Sequence, residues 1–455
     1  KGGACAVSDS LWALVQHLKA EGLAPTLNRE AFDLQLASDK FVAEHPFTMD
    51  TLVDGVRVSI PGSTITVGAK GLTETPRVGP GRLGVSDADY QALLAQAASE
   101  IADNVRAPID SHRFTHYYSD ITGGRDSRAV LAALRYADRI GEVRFRHRPC
   151  GMVEGMLAQS LIAICGGEFL TKAPGSTQPE SAEAYLDEQF QRYFGVNHAL
   201  SSRFAMRTDP QAPSVLFRGG LGEVYRNHYA KPVAREGEGL EFPFAGMLNK
   251  RHLLPKARAE AAVQRLEAGL RALPGDTAEE QYYWHYRYLR NRFHFGLANV
   301  HSGFHVVNPL YSHAALDLAE QVPMEMLSSG RLMADLTAAL DAELAALPYA
   351  SDFAAGKVPT QSFERMPLVT YNPAMKTWYS GMGPRRNQVT VDESVYAQAV
   401  QYARRYLDEI EPEGEQGVDK QRYLKGLQQN IDKRKLKFVA RDWFKFRSAA
   451  LLLNG

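Results

Sequence analysis

The sequence has little cysteine: three residues, Cys5, Cys150 and Cys165, widely spaced and without a CxxC pair. An odd, scattered set argues against a disulfide framework or a cysteine-built zinc site and favours a reducing compartment. No apolar run reaches the ~20 residues that a membrane-spanning helix needs. The first residues, KGGACAVSD, hold no apolar signal-peptide core. An excess of one charge is lacking as well, with 52 basic residues against 52 acidic ones and a formal net charge of +0. Nothing therefore points to a polyanion-binding surface or an acidic tail. The chain reads as cytoplasmic, with neither nucleic acid nor membrane among its partners.

What is present is ordinary for a globular protein: 45% hydrophobic and 23% charged residues over 455 positions, room for two domains or one large one. Chemistry is concentrated from His116 to Ala137, HYYSDITGGRDSRAVLAALRYA. An aromatic and apolar run (Tyr117, Tyr118, Ile121) ends in a glycine-rich turn, Thr122-Gly123-Gly124-Arg125-Asp126-Ser127-Arg128. A helical segment with apolar positions at Val130, Leu131 and Leu134 follows. Strand, glycine turn and helix together aim backbone N–H groups and the positive end of a helix dipole at an anion. Gly123 and Gly124 allow close approach to a phosphate, and Thr122 and Ser127 add hydroxyls. Asp126 disfavours a bare phosphate but suits one bridged by a divalent cation. A helix start capped by Asp, Ser and Thr accounts for the same residues without any ligand.

A second apolar run enters a second glycine-rich turn at Val215-Leu216-Phe217-Arg218-Gly219-Gly220-Leu221-Gly222-Glu223-Val224-Tyr225-Arg226. Between the two turns, Val143 to Arg146 reads as a strand and Glu154 to Gly166 as a buried helix closed by Gly166-Gly167. Alternating strands and helices predict a parallel sheet with helices on both faces, whose ligands sit at the carboxyl ends of the strands.

The first turn is neither the GxxxxGK[ST] phosphate loop nor GxGxxG. TGGRDSR resembles the SGGxDS pyrophosphate loop of the ATP pyrophosphatase superfamily, with Thr122 for the leading serine, and within it the asparagine synthetase group. The resemblance implies that Thr122, Gly123, Gly124 and Ser127 hold pyrophosphate. It gives Asp126 a Mg²⁺ ion, and Arg128 the neutralisation of phosphate charge. The second turn is similar to that family's other nucleotide-site motif, matching at Gly220, Glu223 and Tyr225, and the resemblance makes Gly219 and Gly220 candidates for binding the nucleotide. Gly222 stands where the family has a metal-binding aspartate, so either Glu223 takes over the metal with its longer reach, as a metal-binding and catalytic candidate, or the site binds metal weakly. Glu154, Ala158 and Gly166 match the spacing of a family helix. With Pro309 matched to a family proline, His305 falls on a catalytic glutamate, Val307 on an arginine and Ser312 on an aspartate. His305 then offers a base whose unperturbed pKa lies near 6.5, or merely fills space. Lys357 is the candidate for the lysine that stabilises the transition state of adenylate formation.

The N-terminal stretch, with Val56, Val58, Ile65 and Val67 around Pro61-Gly62 and Lys70-Gly71, reads as a β-hairpin. It is similar to the end of a glutaminase-like domain, but Cys5 does not occupy the nucleophile's place, and no glutamine hydrolysis is expected. Ser86-Asp87 caps a helix with a stripe at Tyr90, Leu94, Ala97, Ile101 and Val105. Residues 255–345 are helical in pattern. The aromatic run Gln281 to Phe295 reads as a packed face with its arginines outward. Lys433 to Arg447 reads as a solvated amphipathic helix, with partner docking as the alternative.

These readings give an α/β fold of the ATP pyrophosphatase kind, also called adenine-nucleotide α-hydrolase-like. A degenerate glutaminase-like β-rich segment over 1–85 precedes a synthetase domain over 86–455 with a helical C-terminal part. The implied activity is that of a carbon-nitrogen ligase using ATP and Mg²⁺. It adenylates a small-molecule or peptide carboxylate with release of pyrophosphate, and an amine captures the product. A homodimer or a pathway partner protein fits this reading, as does a non-ligating homologue that binds nucleotide or peptide.

Overall fold

The computed structural model describes residues 5–37, 48–59, 63–69, 71–75, 82, 84–147, 152–171, 176–177, 187, 190–191, 194, 207–208, 213–227, 253–295, 304–354, 369, 372, 393–409, 417–433 and 436–453. The protein is a mixed α/β structure around a five-stranded parallel sheet, with a helical C-terminal part.

In chain order, α1 (Leu11–Ala20) and α2 (Arg29–Ala37) come first, then the hairpin β1 (Thr64–Gly68) and β2 (Gly71–Thr75). Gly68 pairs with Gly71 at the turn of the hairpin, and Val67 faces Leu72 across it. Among the described residues, the first 85 positions hold two helices and one short hairpin. Their apolar residues, among them Val15, Phe32, Leu34 and Leu52, share a buried cluster with the C-terminal helices.

Helix α3 (Asp87–Asp110) starts where Ser86 Oγ accepts the Asp89 N–H, with Asp87 and Asp89 in its first turn complementing the dipole. Its buried stripe, Tyr90, Leu94, Ala97, Ile101, Val105 and Ile109, follows the helical period read from the sequence. Then come β3 (His116–Ile121), α4 (Arg125–Tyr136), β4 (Val143–His147), α5 (Met152–Cys165), β5 (Glu168–Phe169), the short pair β6 (Ser176–Thr177) and β7 (Arg207–Thr208), and β8 (Ser214–Phe217). Gly166, at φ +67, ends α5 as a left-handed C-terminal residue.

After β8 follow α6 (Lys256–Arg271), α7 (Ala278–Phe295), β9 (Phe304–Val307), α8 (His313–Gln321), α9 (Met324–Ser328), α10 (Arg331–Leu340), α11 (Ala342–Ala346) and α12 (Ala350–Ala354). The chain continues through α13 (Glu393–Glu409), α14 (Lys420–Asp432) and α15 (Leu436–Leu453). Among the described residues, no helix is long and apolar enough to cross a membrane.

The large sheet has the order β5-β4-β3-β8-β9, every neighbouring pair parallel. The first strand is central; the chain builds outward to one side, then returns to build on the other. That places a switch point between β3 and β8, where an open α/β sheet forms a ligand crevice beyond its carboxyl ends. Period-two alternation splits the strands into two faces. Ile121, Val143, Phe145, Val215 and Phe217 pack with α3, α4, α5, α8 and α10 in one large core. Burial of each such side chain contributes about 1.5–3 kcal/mol. Tyr118, Leu216 and Phe304 form a smaller cluster on the other face with Leu170 and Val306.

Two helices differ from their sequence reading. In α7, Arg287 is not outward: it is buried and pairs with buried Glu320 at 2.6 Å. Helix α15 is no solvated surface helix, because Trp443, Phe444, Phe446 and even Lys445 are buried against α13, α14 and the N-terminal helices. Lys445 Nζ reaches the Gln35 carbonyl, which satisfies the cation inside the cluster.

Candidate functional site

Strand β3 delivers Thr122 to the carboxyl edge of the sheet, and the turn to α4 is tied together by its own hydroxyls. Ser127 Oγ lies 3.0 Å from Thr122 Oγ1 and accepts the Thr122 N–H at 3.1 Å; Thr122 Oγ1 accepts the Gly124 N–H at 3.1 Å. Thr122 and Ser127 therefore shape the turn in addition to lining it. Gly124 is the N-cap of α4 and no side chain caps this helix start. The first-turn amides of Arg125, Asp126 and Ser127 lack intrahelical acceptors, and they face the crevice with the positive end of the dipole.

Gly123 is held by close packing. A Cβ there would lie 2.9 Å from Ala350 Cβ and 3.0 Å from Leu157 Cδ1, and Gly123 O accepts the Ala350 N–H at 3.0 Å. The first turn of α5, with Glu154, and the start of α12 thus back the loop.

The second turn leaves β8, which pairs directly with β3, so the two glycine-rich turns are neighbours at one edge. They interlock around Asp126. A Cβ on Gly219 would lie 2.8 Å from the Asp126 carbonyl carbon, and one on Gly222 would lie 2.7 Å from Asp126 Oδ1. Glycine at 222 is what admits the Asp126 carboxylate in this position. Leu221 carries φ +72 with its side chain fully buried. For a branched residue this backbone costs about 1–2 kcal/mol, which the surrounding core offsets. Gly220 lies in the same turn, and Glu223 is the second residue of the short 3₁₀ turn Gly222–Tyr225, half-buried. Tyr225 anchors that turn, fully buried, donating its hydroxyl to the Leu310 carbonyl. Arg226 follows and pairs with Asp126, Nη2 to Oδ2 at 2.9 Å.

Arg128 does not serve the phosphate role implied for it. Its side chain is fully buried, and its guanidinium donates to the carbonyls of Leu344, Leu347 and Pro348. It also stacks on the Tyr349 ring at 3.9 Å. At the fourth position of α4 it falls on the helix face turned inward, and it closes the carbonyl end of α11. Burial brings its pKa down to about 10, still well above neutrality.

His305 is not brought to the turns either. It is exposed, pairs in register with Val215, two residues before β8 ends, and packs against Phe114 at 4.9 Å. Strand rise puts it about 7 Å below the carboxyl edge. Val307 is the β9 residue at that edge, its carbonyl accepting the Arg218 N–H at 2.9 Å. Ser312 caps α8 and donates to Glu100 at 2.8 Å. Lys357 lies outside the described residues.

Two cations at the edge had no assigned role in the sequence reading. Arg226 is one. Arg218, the first residue after β8, is the other, with Nε 3.5 Å from Asp120 Oδ2. Asp120 also accepts from Arg146 Nε at 2.8 Å across β3 and β4. A row of two arginines on one aspartate thus carries net positive charge at the edge of the smaller-cluster face. Their signal was positional: each arginine immediately follows an element of the second turn.

Among the described residues, no group of three or more His, Cys, Asp or Glu is placed to hold a metal ion. Asp126 and Glu223, one from each turn, suit a Mg²⁺ ion that shares its shell with nucleotide phosphates, the usual mode for that ion. The search against protein-family models finds no match, and the search of curated proteins finds none either.

Proposed function

We propose that the protein is an ATP-dependent amide-forming ligase of the asparagine synthetase-like kind, built on an ATP pyrophosphatase-type sheet. The observation that carries this reading is the meeting of the two glycine-rich turns at the switch point between β3 and β8, interlocked through Asp126. Groups suited to a triphosphate support the reading: amides at the start of α4 for the pyrophosphate, hydroxyls of Thr122 and Ser127 beside them, and Arg226 and Arg218 as cations.

In this reading Mg²⁺ supplies charge neutralisation on the phosphates, held by Asp126 with Glu223. The substrate carboxylate oxygen attacks the α-phosphorus, the bond to the bridging oxygen breaks, and pyrophosphate leaves onto the α4 amides. The amine nitrogen then attacks the acyl carbon, loses its proton to a base, and AMP departs. The amine is ammonia or an amine of the substrate, and His305 is not placed to be that base. Phosphate neutralisation passes from Arg128 to Arg226 and Arg218. Lys357 remains the proposed transition-state cation.

A second reading, a nucleotide- or peptide-binding partner without ligase activity, draws on the Asp126–Arg226 pair, which competes with metal for the carboxylate. Pyrophosphate release from ATP with a panel of candidate acids and amines separates the two. Pyrophosphate formed only when an acid is present supports the ligase. A melting temperature raised by Mg-ATP without pyrophosphate supports the partner protein. Neither response removes both.

A further inference from the structure

We propose that Arg226 is a displaceable internal counter-ion of Asp126, so that a divalent cation reaches this carboxylate only together with nucleotide. In this account Arg226 occupies the carboxylate until a metal–nucleotide complex enters, and then transfers to the phosphates. The inference rests on the nucleotide reading above and adds an order of binding to it.

Four features carry it. The pair is 2.9 Å apart, with side-chain exposures of 21% for Asp126 and 30% for Arg226, so it is less screened than a fully exposed pair. Gly219 and Gly222 wall the aspartate from the second turn, where any added Cβ would lie within 2.9 Å of it. Asp126 therefore cannot withdraw toward β8 to exchange partners, and position 222 offers no carboxylate in compensation.

The backbone on either side of Arg226 is fixed as well. Tyr225 is buried and bonded to the Leu310 carbonyl, and the Asn227 N–H donates to the Leu327 carbonyl at 2.9 Å. Exchange needs only the guanidinium to rotate. Finally, a planar guanidinium with several donors recognises phosphate bidentately, so the cation released from Asp126 has a matching acceptor in the incoming ligand. With the charge of Asp126 already met by an arginine and Glu223 the one other carboxylate assigned to the metal, the turns are a poor site for a bare hydrated dication, which keeps most of its waters and relies on phosphates for the rest.

The test follows Mn²⁺ by electron paramagnetic resonance on the full chain. In the wild type, Mn²⁺ alone should stay free, and ATP should bring it onto the protein. Arg226→Met should bind Mn²⁺ without nucleotide roughly three- to fivefold more tightly than the wild type. Adding Asp126→Asn to that variant should abolish the gained site. In EDTA, Arg226→Met should also bind ATP less tightly than the wild type.

Equal Mn²⁺ binding in the wild type and Arg226→Met, or no gain in the variant, overturns the proposal. The wild-type arm decides alone should the variant not fold: Mn²⁺ bound without nucleotide overturns it. Absence of ATP binding with and without metal instead overturns the nucleotide reading, and the counter-ion role with it.

Discussion

Replacing Arg128 by Met separates two jobs that one arginine in a phosphate loop could have. The side chain is fully buried, donates to three carbonyls at the end of α11 and beyond, and stacks on Tyr349. Met fills similar volume but donates nothing, so the Leu347 and Pro348 carbonyls lose this donor, Leu344 keeping its bond from the Leu347 N–H, while one buried charge is removed. Unsatisfied buried acceptors cost about 1–3 kcal/mol each, and relief of the buried charge offsets part of that sum. The expected net loss is about 2–4 kcal/mol, read from urea unfolding followed by tryptophan fluorescence. Arg128→Lys should recover less than half, because an ammonium is a point charge that cannot fork to three carbonyls. Mg-ATP affinity at a temperature where the variant is folded should fall only modestly, through slack in the Gly123–Ala350 contact. Unchanged stability with a large loss of Mg-ATP affinity would refute this assignment and return Arg128 to the phosphates.

Two further outcomes test the scaffold. Gly123→Ala should push the loop off α12 and α5, since its methyl would lie 2.9 Å from Ala350 Cβ. A loss of about 1–3 kcal/mol and weaker Mg-ATP binding are expected, whereas Gly141→Ala, with nothing within 4 Å, is the silent control. For Glu100, burial opposes the charge, but hydrogen bonds from Ser312, Gln96 and the first amides of α8 outweigh it and lower its pKa. A lowered carboxyl stabilises the fold above its ordinary value and loses that contribution as the pH falls through the folded value. The stability gap between wild type and Glu100→Gln, measured by denaturant titration, should therefore be full at pH 7 and shrink below the ordinary value of 4.5; a gap independent of pH would contradict it.

Much of the parallel sheet could be read from the chain. The strands at Tyr117 and Val143, the helix stopped at Gly166 and the two glycine turns announce themselves through local rules of period and turn chemistry. Strand order could not be read, since nothing local says that β8 returns to lie beside β3. That pairing alone makes the two turns one crevice. His305 shows the same limit from the other side: a motif alignment placed it at the site, and register put it two residues short. Arg128 failed for a rotational reason. Its position within TGGRDSR suggested phosphate, but α4 turns it toward the α11 carbonyls. Lys445 and Arg287 looked like surface cations because charge is usually solvated, and here each has a buried acceptor that sequence alone cannot supply. Arg226 was visible as a residue and silent as a partner, because its meaning depends on Asp126, one hundred positions earlier.

The most direct test of the central claim is a crystal soaked with a non-hydrolysable ATP analogue and Mg²⁺. The account predicts the β- and γ-phosphates on the amides of residues 124–127, between the turns at 122–127 and 218–223, with Arg226 moved from Asp126 to a phosphate oxygen. Nucleotide density elsewhere on the molecule, or none at saturating ligand with the Asp126–Arg226 pair intact, would contradict it.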